Sequence, residues 1–183
     1  GSIAMLAAAY APYGIEVLQA GGTGTMTATT TPPPRFVDGG ALAVTLARGD
    51  ISSTVVGTVT HVEGDRLTAF GHPMMEIGEV GYPTAVARVL HILSTVQRSF
   101  KIAEPIAPLG ALVQDRQATI VVDTTMQPAM IPVHLQLHGV PDTERTEWSF
   151  ELASHRSATS TLLTTSIQSA VKSVAGDSEF VTF

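Results

Sequence analysis

The sequence predicts a mainly β protein whose helices are confined to its two margins. Short segments rich in β-branched residues recur along the chain, and turn-forming residues separate them at the spacing of about 8 to 12 residues that is typical of barrels and sandwiches. Of the 183 residues, 44% are hydrophobic and only 14% are charged. This composition excludes the intrinsically disordered class and allows one domain with a substantial core.

The first 38 residues are predicted to hold a small helix-strand segment followed by a linker. Residues 3–10 are good helix formers, and a short strand is expected over residues 15–18. Residues 21–38 are dominated by Gly, Thr and Pro and include three consecutive prolines, which cannot pair in a central strand. We therefore divide the chain into a helix-strand segment (1–20), a linker (21–38) and a β-domain (39–183).

A hairpin opens the β-domain. Strands are predicted over residues 41–47 and 54–62 from their β-branched content. The sequence Glu63-Gly64-Asp65 is typical of a tight turn, because glycine supplies the positive φ that such a turn needs. The turn returns the chain into a strand over residues 66–70, which ends at Gly71-His72.

The second half of the β-domain contains one ambiguous segment. In residues 86–102 the first apolar residues have helical spacing whereas the β-branched residues favour a strand, so the prediction there stays mixed. A helix is predicted over residues 157–174, where apolar residues recur on one face, and residues 179–183 resemble the start of a strand. Further strands are predicted over residues 110–113, 119–123, 131–137 and 147–152.

Charge and composition exclude several functional classes. The net charge is −6 and the 10 Lys and Arg residues form no basic stripe, so nucleic acid is not an expected partner. The longest apolar run, residues 3–11, is far shorter than the roughly 20 residues of a membrane span. Without cysteine there is no disulfide, thiolate metal site or cysteine nucleophile. No cofactor is predicted, and composition alone leaves the compartment open.

Among the six histidines, His72 has the most distinctive setting. It follows the hairpin strand, Gly71 lets the backbone bend before it, and Pro73 restricts the backbone after it. Such a fixed position at a strand end suits a general base. The alternative is a capping or packing histidine, which a lone histidine more often represents.

A zinc site at His134 and His138 is not expected. Histidines four residues apart align only on a helix, whereas the alternating sequence around them predicts a strand, on which they would lie roughly 13 Å apart. No metal site is therefore predicted.

Two further polar sequences have structural interpretations. Gly176-Asp177-Ser178 is similar to the start of the serine motif of chymotrypsin-like enzymes, but Glu179 replaces the glycine that helps form the oxyanion hole. We interpret it as a helix-ending turn and do not assign Ser178 as a nucleophile. Asp115-Arg116 is interpreted as a turn between strands with a local ion pair, the alternative being that Asp115 orients a catalytic group.

Several motifs together resemble the SpoIVB peptidase family over about residues 41–137. They are Gly57-Thr58-Val59-Thr60-His61-Val62, Gly64-Asp65-Arg66-Leu67-Thr68-Ala69-Phe70-Gly71-His72-Pro73, Ser99-Phe100-Lys101, Gln114-Asp115-Arg116 and Met130-Ile131-Pro132-Val133. The resemblance implies a chymotrypsin-like antiparallel β-barrel serine peptidase that acts outside the cytoplasm on protein substrates, often on itself. It also implies that His72 corresponds to the catalytic histidine.

The nucleophilic serine of that family is missing from this sequence. Its motif of glycine, any residue, serine, glycine, serine and proline does not occur, and by the resemblance to the longer members we expect it before Gly1. The chain is then part of a serine endopeptidase, with a protein substrate and the serine-bearing segment as partners, and the barrel is complete, incomplete or permuted. The alternative is a noncatalytic β-domain for protein binding or assembly. Because serine, histidine and acid act as a unit, the chain alone is predicted to be inactive.

Overall fold

The structure is a computed structural model that describes residues 8, 34–94, 99–139, 143 and 145–175. Five sequence predictions therefore lie outside the described residues, apart from residue 8. They are the helix over residues 3–10, the strand over 15–18, the linker up to residue 33, the turn at Gly176-Asp177-Ser178 and the strand over 179–183.

The described residues between 34 and 175 are mainly antiparallel β, in agreement with the predicted β-rich fold. In the described part of the chain, no helix is long and apolar enough to cross a membrane. The elements are β1 (Ala41–Gly49), β2 (Ser53–Glu63), β3 (Arg66–Ala69), β4 (Gly78–Ser94), β5 (Ser99–Arg116), β6 (Thr119–Asp123), β7 (Met130–Gln136), β8 (Glu147–Ala153) and α1 (Thr159–Ala175).

The strand and helix boundaries agree closely with prediction wherever local signals are strong. The β2–β3 hairpin turns at Gly64, whose φ of 57° is the positive value expected of that glycine. The ambiguous segment over residues 86–102 is strand in its described part, because β4 and β5 pair with each other along their length. The strand predicted over residues 110–113 is part of the 18-residue β5, which begins 11 residues earlier and ends three residues later.

Six strands form a closed cycle of antiparallel neighbours. β1 pairs with both β2 and β4, and the cycle continues through β2–β3, β3–β6, β6–β5 and β5–β4. The end of β1 also pairs with β8, which pairs with β7. Because β6 pairs with both β3 and β5, the loop that follows β3 is brought close to the end of β5.

The core combines the inward side chains of this cycle with one face of α1. Burying each large aliphatic side chain contributes about 1.5 to 3 kcal/mol relative to exposure. On the helix, Leu162 and Ala170 are buried and belong to the same cluster as Trp148 and Phe150 of β8. The largest fully buried apolar side chains are Tyr82, Leu42, Leu46, Met74, Leu112, Ile120, Leu152, Leu162, Val44, Val59 and Val122.

Candidate functional site

The loop over residues 70–77, which joins β3 to β4, carries His72 in an unusual backbone conformation. Phe70 has φ 74°, Gly71 has φ 71° and Glu76 has φ 56°. Among the described residues, Phe70 and Glu76 are the only non-glycine residues with positive φ. This conformation costs about 1 to 2 kcal/mol per residue and persists where surrounding contacts impose it. The shape of the loop is therefore imposed by its neighbours.

Asp115 supplies the main constraint on this loop. Its carboxylate accepts hydrogen bonds of 2.7 Å from both the Met74 and the Met75 amides, and the Ile77 amide lies 3.5 Å away. The residue is only 1% exposed. A buried carboxylate is tolerated when donors such as these amides satisfy it.

The interpretation of Asp115 as part of an exposed turn with a local ion pair is wrong. Asp115 lies inside β5 and is buried, and Arg116 donates instead to Gln114 Oε1 at 2.8 Å. The reason lies in the tertiary structure. The amides that donate hydrogen bonds to this carboxylate come from the loop after β3, 40 and 41 positions earlier in the chain. Asp115 positions the backbone that follows His72.

Phe70 and Gly57 fix the other side of the loop. The Phe70 ring lies directly over Gly57, where any Cβ would collide with it. The Phe70 amide also donates to the Thr58 carbonyl at 2.9 Å. The ring centroid of Phe70 is 5.6 Å from that of His72. Gly57 therefore makes room for the ring that packs beside the candidate base, a role that sequence analysis did not identify.

His72 is exposed, and its hydrogen bond defines its tautomer. Nδ1 lies 2.7 Å from the Pro73 carbonyl oxygen. A carbonyl oxygen can only accept, so Nδ1 carries the proton and Nε2 is the basic nitrogen of the neutral ring. In a Ser-His-Asp triad, Nε2 is the nitrogen that takes the serine proton. His72 thus has the tautomer that a general base requires.

A surface depression of about 840 Å³ lies at the far end of the same loop. Glu76, Ile77, Asp115 and Arg116 are among its lining residues, whereas His72 is not. The depression is therefore a concave surface beside the part of the loop that Asp115 holds in place.

Asp38 and His61 form an acid-imidazole pair that sequence analysis missed. His61 Nδ1 lies 2.9 Å from Asp38 Oδ2, and Asp38 Oδ1 accepts the Val62 amide at 2.8 Å. The hydrogen bond that His61 donates to the Asp38 carboxylate raises the pKa of His61 above its ordinary 6.5. The same bond and the Val62 amide lower the pKa of Asp38 below its ordinary 3.8. The partners are 23 positions apart, and no local motif links them.

Asp38→Asn is expected to lower the pKa of His61, since it removes the charged acceptor while the amide oxygen can still accept from Val62. Because the pKa of His61 is raised on folding, the pair stabilises the folded protein at low pH, and this contribution is lost as the pH rises through the pKa of folded His61. Because the pKa of Asp38 is lowered on folding, its contribution is lost as the pH falls through the pKa of folded Asp38. The difference in free energy of unfolding between the parent and the variant should therefore be largest between pH 3.8 and pH 6.5, the ordinary pKa values of an aspartate and a histidine. An NMR titration of the imidazole signals tests this, with His138 as the internal control. An unchanged His61 titration would contradict the pairing.

In the described part of the chain, two serine-histidine contacts lie away from His72. His134 Nδ1 lies 3.2 Å from Ser149 Oγ, its cross-strand neighbour on β8. His155 Nδ1 lies 3.0 Å from Ser157 Oγ, two residues along the chain. Both serines contact Nδ1, whereas the serine of a Ser-His-Asp triad contacts Nε2. Both contacts are therefore interpreted as surface hydrogen bonds.

The structure does not bring the two histidines of the rejected zinc site together on one helical face. His134 lies on β7, which ends at Gln136. His138 lies two residues beyond that end. Within the described ranges, no group of three or more His, Cys, Asp or Glu side chains is arranged to hold a metal ion.

A scan against protein-family models, a search of curated proteins and a search of solved structures each found no match for this chain.

Proposed function

We propose that this chain contributes the general base of a serine endopeptidase that acts on protein or peptide substrates, and that His72 is this base. The observation that carries the proposal is the hydrogen bond of an exposed imidazole: Nδ1 lies 2.7 Å from the Pro73 carbonyl oxygen, which favours the tautomer that leaves Nε2 as the basic nitrogen. The nucleophilic serine comes from a segment outside these 183 residues.

The fold supports the proposal. A closed cycle of antiparallel neighbours is what a barrel requires, because closure removes free sheet edges. We therefore assign the cycle to the chymotrypsin-like barrel that the resemblance implies. In such enzymes the catalytic groups must be held rigidly, and the two non-glycine residues with positive φ in the described chain lie two positions before His72 and four positions after it.

The proposed chemistry uses each ring nitrogen of His72 for a separate task. Nε2 takes the proton of the serine hydroxyl as that oxygen attacks the substrate carbonyl, and it then returns the proton to the leaving amine. The Pro73 carbonyl takes the place of the triad acid at Nδ1. It fixes the tautomer, but as a neutral acceptor it stabilises the imidazolium less than a carboxylate does. The serine mechanism requires no cofactor.

Extracytoplasmic location belongs to the same proposal, because the resemblance implies a peptidase outside the cytoplasm. A chain with no cysteine is compatible with that location, since neither folding nor the proposed chemistry depends on a thiol.

A noncatalytic protein-binding domain is the second candidate, and two observations favour it. Among the described residues, no serine hydroxyl hydrogen-bonds to His72, whereas β4 exposes four large apolar side chains suited to a protein contact, namely Val89, Leu90, Ile92 and Leu93. In this case His72 would be a structural residue of the loop.

The chain by itself is expected to release no peptides from casein above a buffer control, because it lacks the nucleophile. A fluorophosphonate probe should label none of its serines. The complete gene product should gain both casein cleavage and one labelled serine outside these 183 residues. Labelling of Ser149 or Ser157 in the isolated chain would overturn the assignment. A complete product with neither turnover nor label would favour the noncatalytic candidate.

A further inference from the structure

The surface depression at the end of the loop that carries His72 is large enough to hold part of a bound peptide. Residues 76–78 line it at the end of this loop, and residues 115–118 line it at the end of β5 and in the turn to β6. Its volume of about 840 Å³ lies within the range of about 300 to 1,000 Å³ that is common for ligand sites. The side chains that line it therefore indicate which ligand it suits.

Glu76 adopts a backbone conformation that disfavours glutamate. Its φ is 56°, in the left-handed region where glycine, asparagine and aspartate are common and other residues are rare. The hydrogen bonds that hold the loop run from the Met74 and Met75 amides to Asp115 and do not involve the Glu76 side chain. A glycine or an asparagine would therefore fit this position with less strain and with the same hydrogen bonds.

The Glu76 carboxylate has no partner in the described part of the chain. The residue is exposed, and no hydrogen bond of the described residues reaches its side chain. Side-chain contacts within the fold thus do not explain why a glutamate occupies this strained position. Strained residues cluster at sites that bind ligands, so we interpret Glu76 as a ligand-contacting residue. The described ion pairs use other carboxylates, which are those of Asp38, Asp50, Glu104, Asp123 and Glu151.

The charged groups of the depression define the chemistry of the ligand. Both Asp115 oxygens accept loop amides, so among the described lining residues Glu76 has the one carboxylate that a ligand can reach. Arg116 Nε donates to Gln114, which leaves the terminal nitrogens of Arg116 as donors. A suitable ligand therefore has a cationic group for Glu76 and acceptors for Arg116. A peptide with a lysine or arginine side chain supplies both, because its backbone carbonyls accept hydrogen bonds.

Other ligand classes suit the depression less well. A divalent cation needs several oxygen ligands, and within the described residues no three His, Cys, Asp or Glu side chains are arranged to bind one. An anionic ligand is disfavoured, because the Glu76 carboxylate and the net charge of −6 repel it. A basic side chain is favoured by the same two charges.

We propose that Glu76 forms a subsite for a lysine or arginine side chain of the peptide substrate and is thereby a specificity-determining residue. This inference rests on the proposed function, which supplies a peptide as the ligand. His72 lies on the same loop, four positions before Glu76, but does not line the depression. The basic side chain therefore binds beside the reacting groups and takes no part in the proton transfer.

Binding of matched peptides to the 183-residue chain tests the subsite without requiring cleavage. The probes are fluorescent versions of one casein-derived peptide in which lysine or the uncharged norleucine occupies one position at a time. By fluorescence anisotropy, the parent should bind the best lysine peptide about 5-fold more tightly than its norleucine counterpart, which is the upper range for one exposed ion pair. Glu76→Gln should remove this preference. Glu79→Gln should keep it, because Glu79 is exposed but does not line the depression.

The outcomes distinguish the subsite from the proposed function. No lysine preference in the parent, or the same preference in Glu76→Gln, would overturn the subsite. Hydrolysis of the same peptides by the complete gene product tests the peptidase separately. Cleavage without a lysine preference would remove the subsite and keep the role of His72. Lysine-selective binding by a complete product that cleaves nothing would keep the subsite and remove the peptidase assignment.

Glu76→Asn gives a second readout that a merely structural role would not produce. Asparagine tolerates positive φ, so the melting temperature of the variant should equal or exceed that of the parent. The same variant should lose the preference for the lysine peptide. A clear fall in the melting temperature would show that the glutamate side chain supports the fold, and it would contradict a role in ligand binding alone.

Discussion

Replacing Asp115 by alanine is expected to lower the free energy of unfolding by about 3 kcal/mol or more. The substitution leaves the Met74 and Met75 amides without their acceptor. Hydrogen bonds to a charged group contribute about 1.5 to 3 kcal/mol each, and an unsatisfied buried amide costs about 1 to 3 kcal/mol. Because the site is 1% exposed, water cannot readily replace the carboxylate. Urea denaturation of the two proteins measures the difference.

Two further variants separate this effect from a general loss of charge. Asp65→Ala removes an exposed carboxylate in the β2–β3 turn and should change stability by no more than about 0.5 kcal/mol. Asp115→Asn should be intermediate, because its amide oxygen can accept while its NH2 group cannot. Hydrogen exchange at Met74 and Met75 should accelerate in both Asp115 variants. If Asp115→Ala were as stable as the parent, the carboxylate would not be what holds the loop.

His72→Ala is expected to lower kcat/KM by at least about 100-fold in the complete gene product, since a positioned general base contributes about 100- to 10,000-fold. The melting temperature should change by only a few degrees, because the His72 side chain is exposed. Steady-state hydrolysis of a peptide substrate and a thermal melt of the same preparation measure both quantities.

His138→Ala is the matched control for this experiment, because His138 is also an exposed histidine. It should leave kcat/KM unchanged. A structural role for His72 would give the opposite result, with a lowered melting temperature and substantial remaining activity. Cleavage by His72→Ala at the parent rate would remove His72 from the catalytic machinery.

Local sequence signals determined much of the secondary structure. The hairpin that turns at Gly64, the five residues of β6 and the helix α1 lie within two residues of their predicted limits. In each case the residues that specify the element are its own: glycine permits the turn, β-branched residues favour the strand, and apolar spacing defines the helix face. The position of His72 after a strand and beside Gly71 could likewise be predicted from its neighbours in the sequence.

Only the tertiary structure decided how these elements meet. Despite the helical spacing in residues 86–102, the described part of this segment is strand, because pairing between β4 and β5 supplies backbone hydrogen bonds along both strands. The role of Asp115 depends on amides 40 and 41 positions away, and the Asp38–His61 pair spans 23 positions. Such contacts exist only because the strand cycle brings distant residues together. A carboxylate that resembles an exposed turn residue in the sequence thus becomes the buried anchor of the loop that carries His72.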